Sequence, residues 1–190
     1  MDGESEALVP AVDNSVDVTW HQQCQDWFAA HPQLKVGVEV GVWCGSLSRR
    51  LLASGVEHLT LVDAWKLVLE LTADGARIWG PGYSHLEVET AEQIVRTWAM
   101  TEPRARVLKM DSLDAAKLIA DHSQDFVIID ARHDYHAVAD DIEAWWPKVK
   151  PGGYLVGDDY SDHFPGVAQA VQEAFGARAV LDPPMWWVQA

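Results

Sequence analysis

Short apolar runs typical of buried strands alternate along this chain with stretches of helical periodicity. Four such runs each precede a helical pattern: KVGVEVG (35–41), HLTLVDAW (58–65), ARVLKMD (105–111) and DFVIID (125–130). A fifth, YLVGDDY (154–160), follows a turn predicted at PGG (151–153) and precedes PGVAQAVQEAFG. RAVLD with MWWVQA predicts a closing antiparallel pair. Strands joined by helices pair in parallel, with helices covering both faces of the sheet. The sequence therefore predicts a single α/β domain built on a mostly parallel sheet.

Length and charge narrow the classes of protein that this chain can belong to. Its 190 residues suit one domain, predicted for 18–190, after a loose acidic N-terminal segment at 1–17. A net charge of -15 repels phosphate backbones, so no nucleic-acid partner is expected. Without a signal peptide or a long apolar span, the expectation is a cytoplasmic protein that makes no membrane contact.

The carboxyl ends of parallel strands are where ligands bind in such sheets, near the point where strand order reverses. The first strand ends in E-x-G-x-x-x-G, formed by Glu39, Gly41 and Gly45, which allows a tight turn. An ordinary strand–helix turn is the alternative. Asp63, 22 residues after Gly41, is placed to accept hydrogen bonds from a ribose, or to cap a loop. Together these features favour an adenosine-containing cofactor without pyrophosphate.

Carboxylates also end the fourth and fifth predicted strands, at Asp130 and at the pair Asp158 and Asp159. Because neighbouring strands lie ~4.8 Å apart, the three carboxylates could converge, and without compensation they would repel one another. A divalent metal ion, expected to be Mg²⁺, would remove this repulsion and activate a bound hydroxyl. His133 is placed to accept the proton of that hydroxyl as a general base, with Asp130 beside it.

Each member of this charged stretch also has a structural interpretation. Arg132 could neutralise the acidic pair in a buried ion pair, and His133 could bind the backbone at a helix entry. Asp134 is predicted to cap the helix that follows it, Ser84 and Glu87 are predicted to form a capping box at the start of an earlier helix, and Ser112 could also cap a helix. The solvated face of the helix after Asp134 is predicted to carry His136, Asp140, Asp141 and Glu143.

Three stretches together resemble the class I S-adenosylmethionine-dependent methyltransferases, in particular the small sugar and natural-product O-methyltransferases of the macrocin type. They are VEVGVWCGSLSRRLL, LVDAW and DFVIIDARHDYHAVADDIEAWWPKVKPGGYLVGDDY, and the resemblance covers about residues 33–176. It implies a Rossmann-like, seven-stranded sheet with an antiparallel last strand and helices on both faces. It also implies metal-dependent O-methylation of a small hydroxylated substrate such as a sugar.

The resemblance assigns residues to the parts of S-adenosylmethionine. Glu39, Gly41 and Gly45 would surround the methionine end, and Ser46 and Asp130 would also bind the cofactor. Asp63 would bind the ribose, and Ala64 or Trp65 would lie against the adenine. Asp111 and Ser112 would border the edge of the adenine.

Residues 64–83 form a long connection that is predicted to act as a lid. Its aromatic residues Trp65, Trp79 and Tyr83 could stack on a substrate or pack on the core. His163 is a second candidate base. Four functions stay open: a metal-dependent O-methyltransferase, a metal-independent one using His133 or His163, a cofactor-binding protein without turnover, and a nicotinamide oxidoreductase. The missing G-x-G-x-x-G counts against the last. A neighbouring subunit could complete the substrate site, so a homo-oligomer is compatible with the sequence.

Overall fold

The computed structural model describes residues 18–67, 69–72, 75–78 and 84–190. The predicted N-terminal segment (1–17) and the part of the predicted lid at 79–83, with Trp79 and Tyr83, lie outside the described residues.

Nine strands are present in the described chain: β1 Val36–Val40, β2 His58–Asp63, β3 Leu69–Thr72, β4 Gly75–Ile78, β5 Ala105–Lys109, β6 Gln124–Ile129, β7 Val149–Gly157, β8 Val180–Asp182 and β9 Met185–Gln189. Seven of them form one sheet in the order β5-β2-β1-β6-β7-β9-β8. All neighbours pair in parallel except β9, which runs antiparallel to both β7 and β8. The predicted seven-stranded sheet with an antiparallel last strand is confirmed.

The described residues contain six α-helices: α1 Val18–Ala30, α2 Ser46–Ala53, α3 His85–Ala99, α4 Ser112–Ala116, α5 Tyr135–Trp145 and α6 Pro165–Phe175. Short 3-10 turns follow α5 at Trp146–Lys148 and α6 at Gly176–Arg178. The predicted capping box at Ser84 and Glu87 is confirmed, because each residue bonds the backbone of the other. Within the described residues, no helix combines the length and apolar character needed to span a membrane.

One local prediction is wrong, and one segment contains strands that were not predicted. The PGG at residues 151–153, predicted as a turn before the strand, lies inside β7, where the pairing with β6 shifts register after Gln124. Part of the predicted lid is a hairpin of β3 and β4, which pair antiparallel in a sheet of their own. Neither deviation alters the order of the main sheet.

The core forms two apolar layers, one on each face of the sheet. One layer contains Trp20, Phe28, Leu51 and Val95 from α1, α2 and α3, and the other contains Val138, Trp145 and Val171 from α5 and α6. Because strand side chains alternate between faces, Val38 and Val40 belong to the second layer and Glu39 points towards the first.

Strand order reverses between β1 and β6. From β1 the chain continues outward through β2 to β5, and it then returns to β6 on the other side of β1. The helices must leave the carboxyl ends of β1 and β6 in opposite directions, which opens a crevice between them. The first and fourth predicted strands therefore end at the same crevice.

Candidate active site

A cleft of about 1390 Å³ opens beyond the carboxyl ends of β1, β2, β5 and β6. Its walls contain most of the residues that the sequence assigns to a cofactor and to catalysis: Glu39, Gly41, Ser46, Asp63, Ala64, Trp65, Asp111, Ser112, Asp130 and His133. Gly45, Asp158 and Asp159 are not among the wall residues. The tertiary structure thus brings together side chains that are up to 94 residues apart, from Glu39 to His133.

The turn after β1 requires glycine for two separate reasons. Gly41 has φ +87°, and a Cβ at this position would lie 1.9 Å from the carbonyl oxygen of Asp130. Gly45 has φ +75° and forms the N-cap of α2. The first glycine therefore permits close contact between the ends of β1 and β6, and the second permits the left-handed backbone that starts α2.

The carboxylate of Asp63 organises the same turn from β2. Its Oδ2 accepts hydrogen bonds from the backbone N–H groups of Val42 and Trp43, both at 2.9 Å. Its Oδ1 accepts one from the N–H of Trp65 at 2.7 Å. Burial raises the pKa of Asp63, although these three bonds oppose the shift. Asp63 therefore caps the loop, as the alternative interpretation of the sequence proposed. A carboxylate can accept about four hydrogen bonds, so about one acceptor site remains for a ligand.

Trp65 is buried beside this turn, with 6% of its surface exposed. Its indole N–H donates to the carbonyl of Trp43 at 2.9 Å. For this residue the structure supports the alternative in which the aromatic side chain holds the segment against the core.

Glu39 is a buried acid in the wall of the cleft, with 1% of its surface exposed. Among the described residues, its Oε2 atom has no hydrogen-bond partner. Burial, followed by the charges of Asp130 and Asp63, raises its pKa well above the ordinary value, whereas the neighbouring Ser48 and Arg49 lower it. A buried acceptor without a partner is costly, so this atom indicates where a ligand donor would be stabilised.

Asp130, His133 and Asp159 form a cluster in which one potential ligand atom from each lies within 4.8 Å of the others. The Nε2 atom of His133 is 2.8 Å from Oδ2 of Asp159 and 3.8 Å from Oδ1 of Asp130. Trp20 of α1 donates its indole N–H to Oδ2 of Asp130 at 3.3 Å. Two carboxylates and an imidazole are a donor set that fits a divalent cation.

Burial lowers the pKa of His133, but the hydrogen bonds and charges of Asp130 and Asp159 outweigh it and raise the value to about 10. At this pKa the imidazole carries a proton near neutral pH and serves as a counter-charge, so a cation that binds to His133 must displace that proton. Its ring faces two carboxylates, a contact that the backbone-binding alternative did not include.

Asp158, predicted to converge with Asp130 and Asp159, is not one of the three residues whose ligand atoms lie within 4.8 Å of one another. Its Oδ1 instead accepts a hydrogen bond from the backbone N–H of Asp159 at 2.6 Å. Burial, followed by the charges of Asp130 and Asp159, raises the pKa of Asp158 to about 9. Asp159 has φ +60°, a left-handed backbone conformation that is uncommon outside glycine.

Arg132 has a carboxylate partner in addition to those that the sequence alternative considered. Its Nη2 atom forms an ion pair at 2.8 Å with Oδ2 of Asp134. The predicted cap at Asp134 is confirmed, since its Oδ1 accepts from the backbone N–H of Ala137 at 3.0 Å.

Asp141 was predicted on a solvated helix face, and that prediction is wrong because only 4% of its surface is exposed. Ser112 donates its hydroxyl hydrogen to Oδ1 of Asp141, and the indole N–H of Trp145 donates to Oγ of Ser112 at 2.7 Å. Burial raises the pKa of Asp141 to about 6. The capping role predicted for Ser112 is also wrong, since Asp111 occupies the N-cap position of α4.

Sequence reasoning missed Asp141 and Trp20 as members of the site. A signal for Asp141 was available, because it lies three residues after Val138 and four before Trp145, on the apolar stripe of α5. No comparable signal points from Trp20 to Asp130, since 110 residues separate the two.

Aromatic rings border the cleft on the side of His133. The ring of Phe164 lies 4.8 Å from that of His133 in a tilted arrangement and 4.8 Å from that of His163, edge to face. Both Phe164 and His163 line the cleft. These rings form an aromatic border of the cleft next to the cluster of Asp130, His133 and Asp159.

The sheet order, the antiparallel last strand and the cleft at the ends of β1 and β6 define the class I methyltransferase fold. The O-methyltransferase NovP has this fold, with 19% identity over 90% of this chain and 78% of its own and a TM-score of 0.62. A putative caffeoyl-CoA O-methyltransferase from Staphylococcus aureus has the same fold, with 14% identity over 92% of this chain and 84% of its own and a TM-score of 0.63. CalS11, a TDP-rhamnose 3'-O-methyltransferase, shares it too, with 13% identity over 92% of this chain and 80% of its own and a TM-score of 0.58.

A family model described as a methyltransferase domain matches residues 38–160, which is more than half of the chain. The chain belongs to this family and is an S-adenosylmethionine-dependent methyltransferase. No curated protein sequence matched it significantly. The buried Oε2 atom of Glu39 fits the cofactor, because it offers an acceptor for a donor such as the α-ammonium group of its methionine part.

Proposed function

We propose that this enzyme methylates a hydroxyl group of a small molecule, with a divalent cation held by Asp130, His133 and Asp159. The observation that carries the proposal is the cluster of their ligand atoms within 4.8 Å of one another, beside the cleft. Three structurally similar proteins carry O-methyltransferase names, which supports an oxygen acceptor. A cation bound there would lower the pKa of the acceptor hydroxyl and favour its reactive, deprotonated form.

The residues of the chain would supply binding and orientation. Glu39 would accept a hydrogen bond from the ammonium group of S-adenosylmethionine, which carries the methyl group on its sulfonium sulfur. The turn at Gly41, held by Asp63, would leave the end of β1 open to the cofactor. Phe164 would hold the acceptor beside the acid–histidine cluster, in line with the methyl group. Because these groups are largely buried, water would be displaced from the reacting atoms.

With His133 engaged in the cluster, His163 is the group we assign to accept the proton of the acceptor. It lines the cleft and its ring contacts Phe164. The imidazole nitrogen of His133 also widens the range of cations beyond the Mg²⁺ expected from carboxylates, so Mn²⁺ is a second candidate.

The test is calorimetric titration of MgCl₂ and MnCl₂, in separate experiments with and without S-adenosylhomocysteine. The proteins are the wild type, Asp159→Asn and a matched control, Asp162→Asn, whose side chain is exposed on the same loop. We expect one cation to bind to the wild type and the control, with a loss of at least about tenfold in affinity in Asp159→Asn. Equal affinity in all three proteins, or no binding in any, would remove the metal from the proposal.

A second candidate is a metal-independent methyltransferase in which His163 is the sole base. The observation that favours it is the ion pair of His133 with Asp159, which partly neutralises the acidic cluster without a cation. In that case, turnover on a panel of catechols and sugars would survive chelation with EDTA and be lost in His163→Gln. For the metal-dependent enzyme, we expect EDTA to abolish turnover and added cation to restore it.

A further inference from the structure

Trp20 contacts the cluster of Asp130, His133 and Asp159 from a separate element, helix α1. Its indole N–H donates to Oδ2 of Asp130 at 3.3 Å. Only 3% of the Trp20 surface is exposed, because the ring packs in the apolar layer that α1 forms with α2 and α3. An indole N–H can donate but cannot accept, and burial keeps water from competing for it. Trp20 therefore offers Asp130 one fixed donor.

The two oxygens of the Asp130 carboxylate face different partners. Oδ1 lies 3.8 Å from Nε2 of His133, whereas Oδ2 accepts the hydrogen bond of Trp20. The same Nε2 atom lies 2.8 Å from Oδ2 of Asp159. The oxygen of Asp130 that faces His133 is thus Oδ1, and Trp20 restrains the carboxylate through its other oxygen.

Helix α1 has further hydrogen bonds that hold it in place. Nε2 of Gln23 donates to the backbone carbonyl of Asp182, at the end of β8, at 2.8 Å. Nη1 of Arg50, on α2, donates to Oε1 of Gln25 at 3.0 Å. We therefore expect α1 to keep its place when the indole N–H of Trp20 is removed.

Divalent cations differ in what they require of a carboxylate. Mg²⁺ needs near-octahedral geometry with oxygens at about 2.0–2.1 Å, and Mn²⁺ also favours six ligands. Ca²⁺ tolerates irregular geometry at about 2.3–2.6 Å and often takes both oxygens of one carboxylate. A carboxylate whose second oxygen is engaged by an N–H group presents one oxygen in a fixed direction, which suits Mg²⁺ or Mn²⁺ better than Ca²⁺.

We propose that Trp20 is a positioning residue that makes Asp130 bind a cation through one oxygen, and that it thereby selects Mg²⁺ or Mn²⁺ over Ca²⁺. This inference rests on the proposed function, because it takes the cation to be held by the cluster of Asp130, His133 and Asp159. Trp20 acts through Asp130 and needs no contact with the cation itself.

Calorimetric titration of MgCl₂, MnCl₂ and CaCl₂ into wild type and Trp20→Phe tests the proposal, because phenylalanine keeps an aromatic ring but has no N–H. The matched control is Trp27→Phe on the same helix, whose ring packs against Phe28 and Tyr154. About 150 mM NaCl screens the general attraction of cations to this acidic chain.

We expect the affinity of Trp20→Phe for Mg²⁺ and Mn²⁺ to fall at least about tenfold, because Asp130 loses its fixed orientation. Its affinity for Ca²⁺ should fall by less than about threefold, because the released second oxygen can then bind this larger ion. The control should bind all three cations as wild type does.

A second variant separates the loss of the N–H group from the loss of ring volume. Site-specific incorporation of β-(3-benzothienyl)alanine at position 20 replaces the N–H by sulfur and keeps the shape of the two fused rings. We expect the same change in cation preference as in Trp20→Phe. If Trp20→Phe does not fold, this variant decides the question alone.

Two results would overturn the inference. The first is an equal loss of affinity for all three cations, which would make Trp20 a purely structural residue. The second is an unchanged affinity for each cation in both Trp20 variants. Failure of the wild type to bind any cation, while it still binds S-adenosylhomocysteine, is a different outcome. It would contradict the metal in the proposed function and remove this inference with it.

Discussion

At the scale of single residues, Gly41 must be glycine both because its φ is positive and because its backbone lies against Asp130. It shares a positive φ with Gly152, but a Cβ at Gly152 would meet nothing within 4 Å, whereas one at Gly41 would overlap the carbonyl of Asp130. We expect Gly152→Ala to cost about 1 kcal/mol in the free energy of unfolding, from left-handed strain alone. Gly41→Ala should cost more than about 3 kcal/mol, because β1 and β6 must separate. Urea unfolding measures both, and equal losses would contradict the steric explanation.

Asp141 should give the protein a measurable pH dependence. Its pKa is about 6 in the folded protein against an ordinary value of 3.8, so folding is favoured while the group stays protonated. This contribution is fully present below pH 3.8 and is lost as the pH rises through about 6, up to about 3 kcal/mol. Asp140 and Asp134 raise this pKa further, whereas the Ser112 hydrogen bond and Arg132 oppose the shift.

Asp141→Asn removes this titration while it keeps an acceptor for Ser112. We expect the stability of the variant relative to wild type to improve by about 1–3 kcal/mol between about pH 4 and pH 7. Chemical unfolding at several pH values measures the difference, in which the contributions of the other carboxylates cancel. A stability difference that does not change with pH would show that Asp141 titrates normally.

The turn between β1 and α2 shows, at the scale of elements, that one side chain can organise a segment distant in sequence. Asp63 at the end of β2 holds three backbone N–H groups, two of them on that turn. Asp63→Ala leaves these donors without their acceptor, and we expect a loss of about 2–4 kcal/mol in unfolding free energy. S-adenosylhomocysteine affinity should fall as well, measured by calorimetry below the unfolding transition. Unchanged stability with reduced affinity would assign Asp63 to ligand binding alone.

The connections between elements decide which acids meet. β6 and β7 are parallel neighbours, so Asp130 and the pair at 158–159 reach the same edge of the sheet, as the sequence predicts. Asp159, which follows β7 and has φ +60°, belongs to the cluster, and the loop after β6 places His133 beside it. Helix α1 adds Trp20 from the first apolar layer.

The net charge of -15 affects the molecule as a whole. Self-repulsion of this size destabilises the compact state, so raising NaCl from about 10 mM to about 150 mM should raise the melting temperature of wild type. At matched ionic strength, MnCl₂ or MgCl₂ should raise it further through specific binding, and Asp159→Asn should lack that additional increase. An equal increase in both proteins would indicate general screening by divalent ions.

The sequence by itself determined the features that depend on local periodicity and on residue type. Strand and helix alternation predicted the sheet, and the glycines and acids at strand ends predicted the cleft, with Asp134 and Ser84 as helix caps. These predictions succeed because side chains repeat every 2 residues in a strand and every 3.6 in a helix, and because parallel strands end on one edge.

Only the tertiary structure decided which of these side chains contact one another. It buried Asp141, paired His133 with Asp159, excluded Asp158 and brought Trp20 to Asp130. The physical reason is that the direction of a side chain after a strand end depends on loop torsions and on packing between layers. Neither loop torsions nor the packing between layers follows a periodic pattern in the sequence. A contact such as that between Trp20 and Asp130, which are 110 residues apart, is therefore seen only in the folded chain.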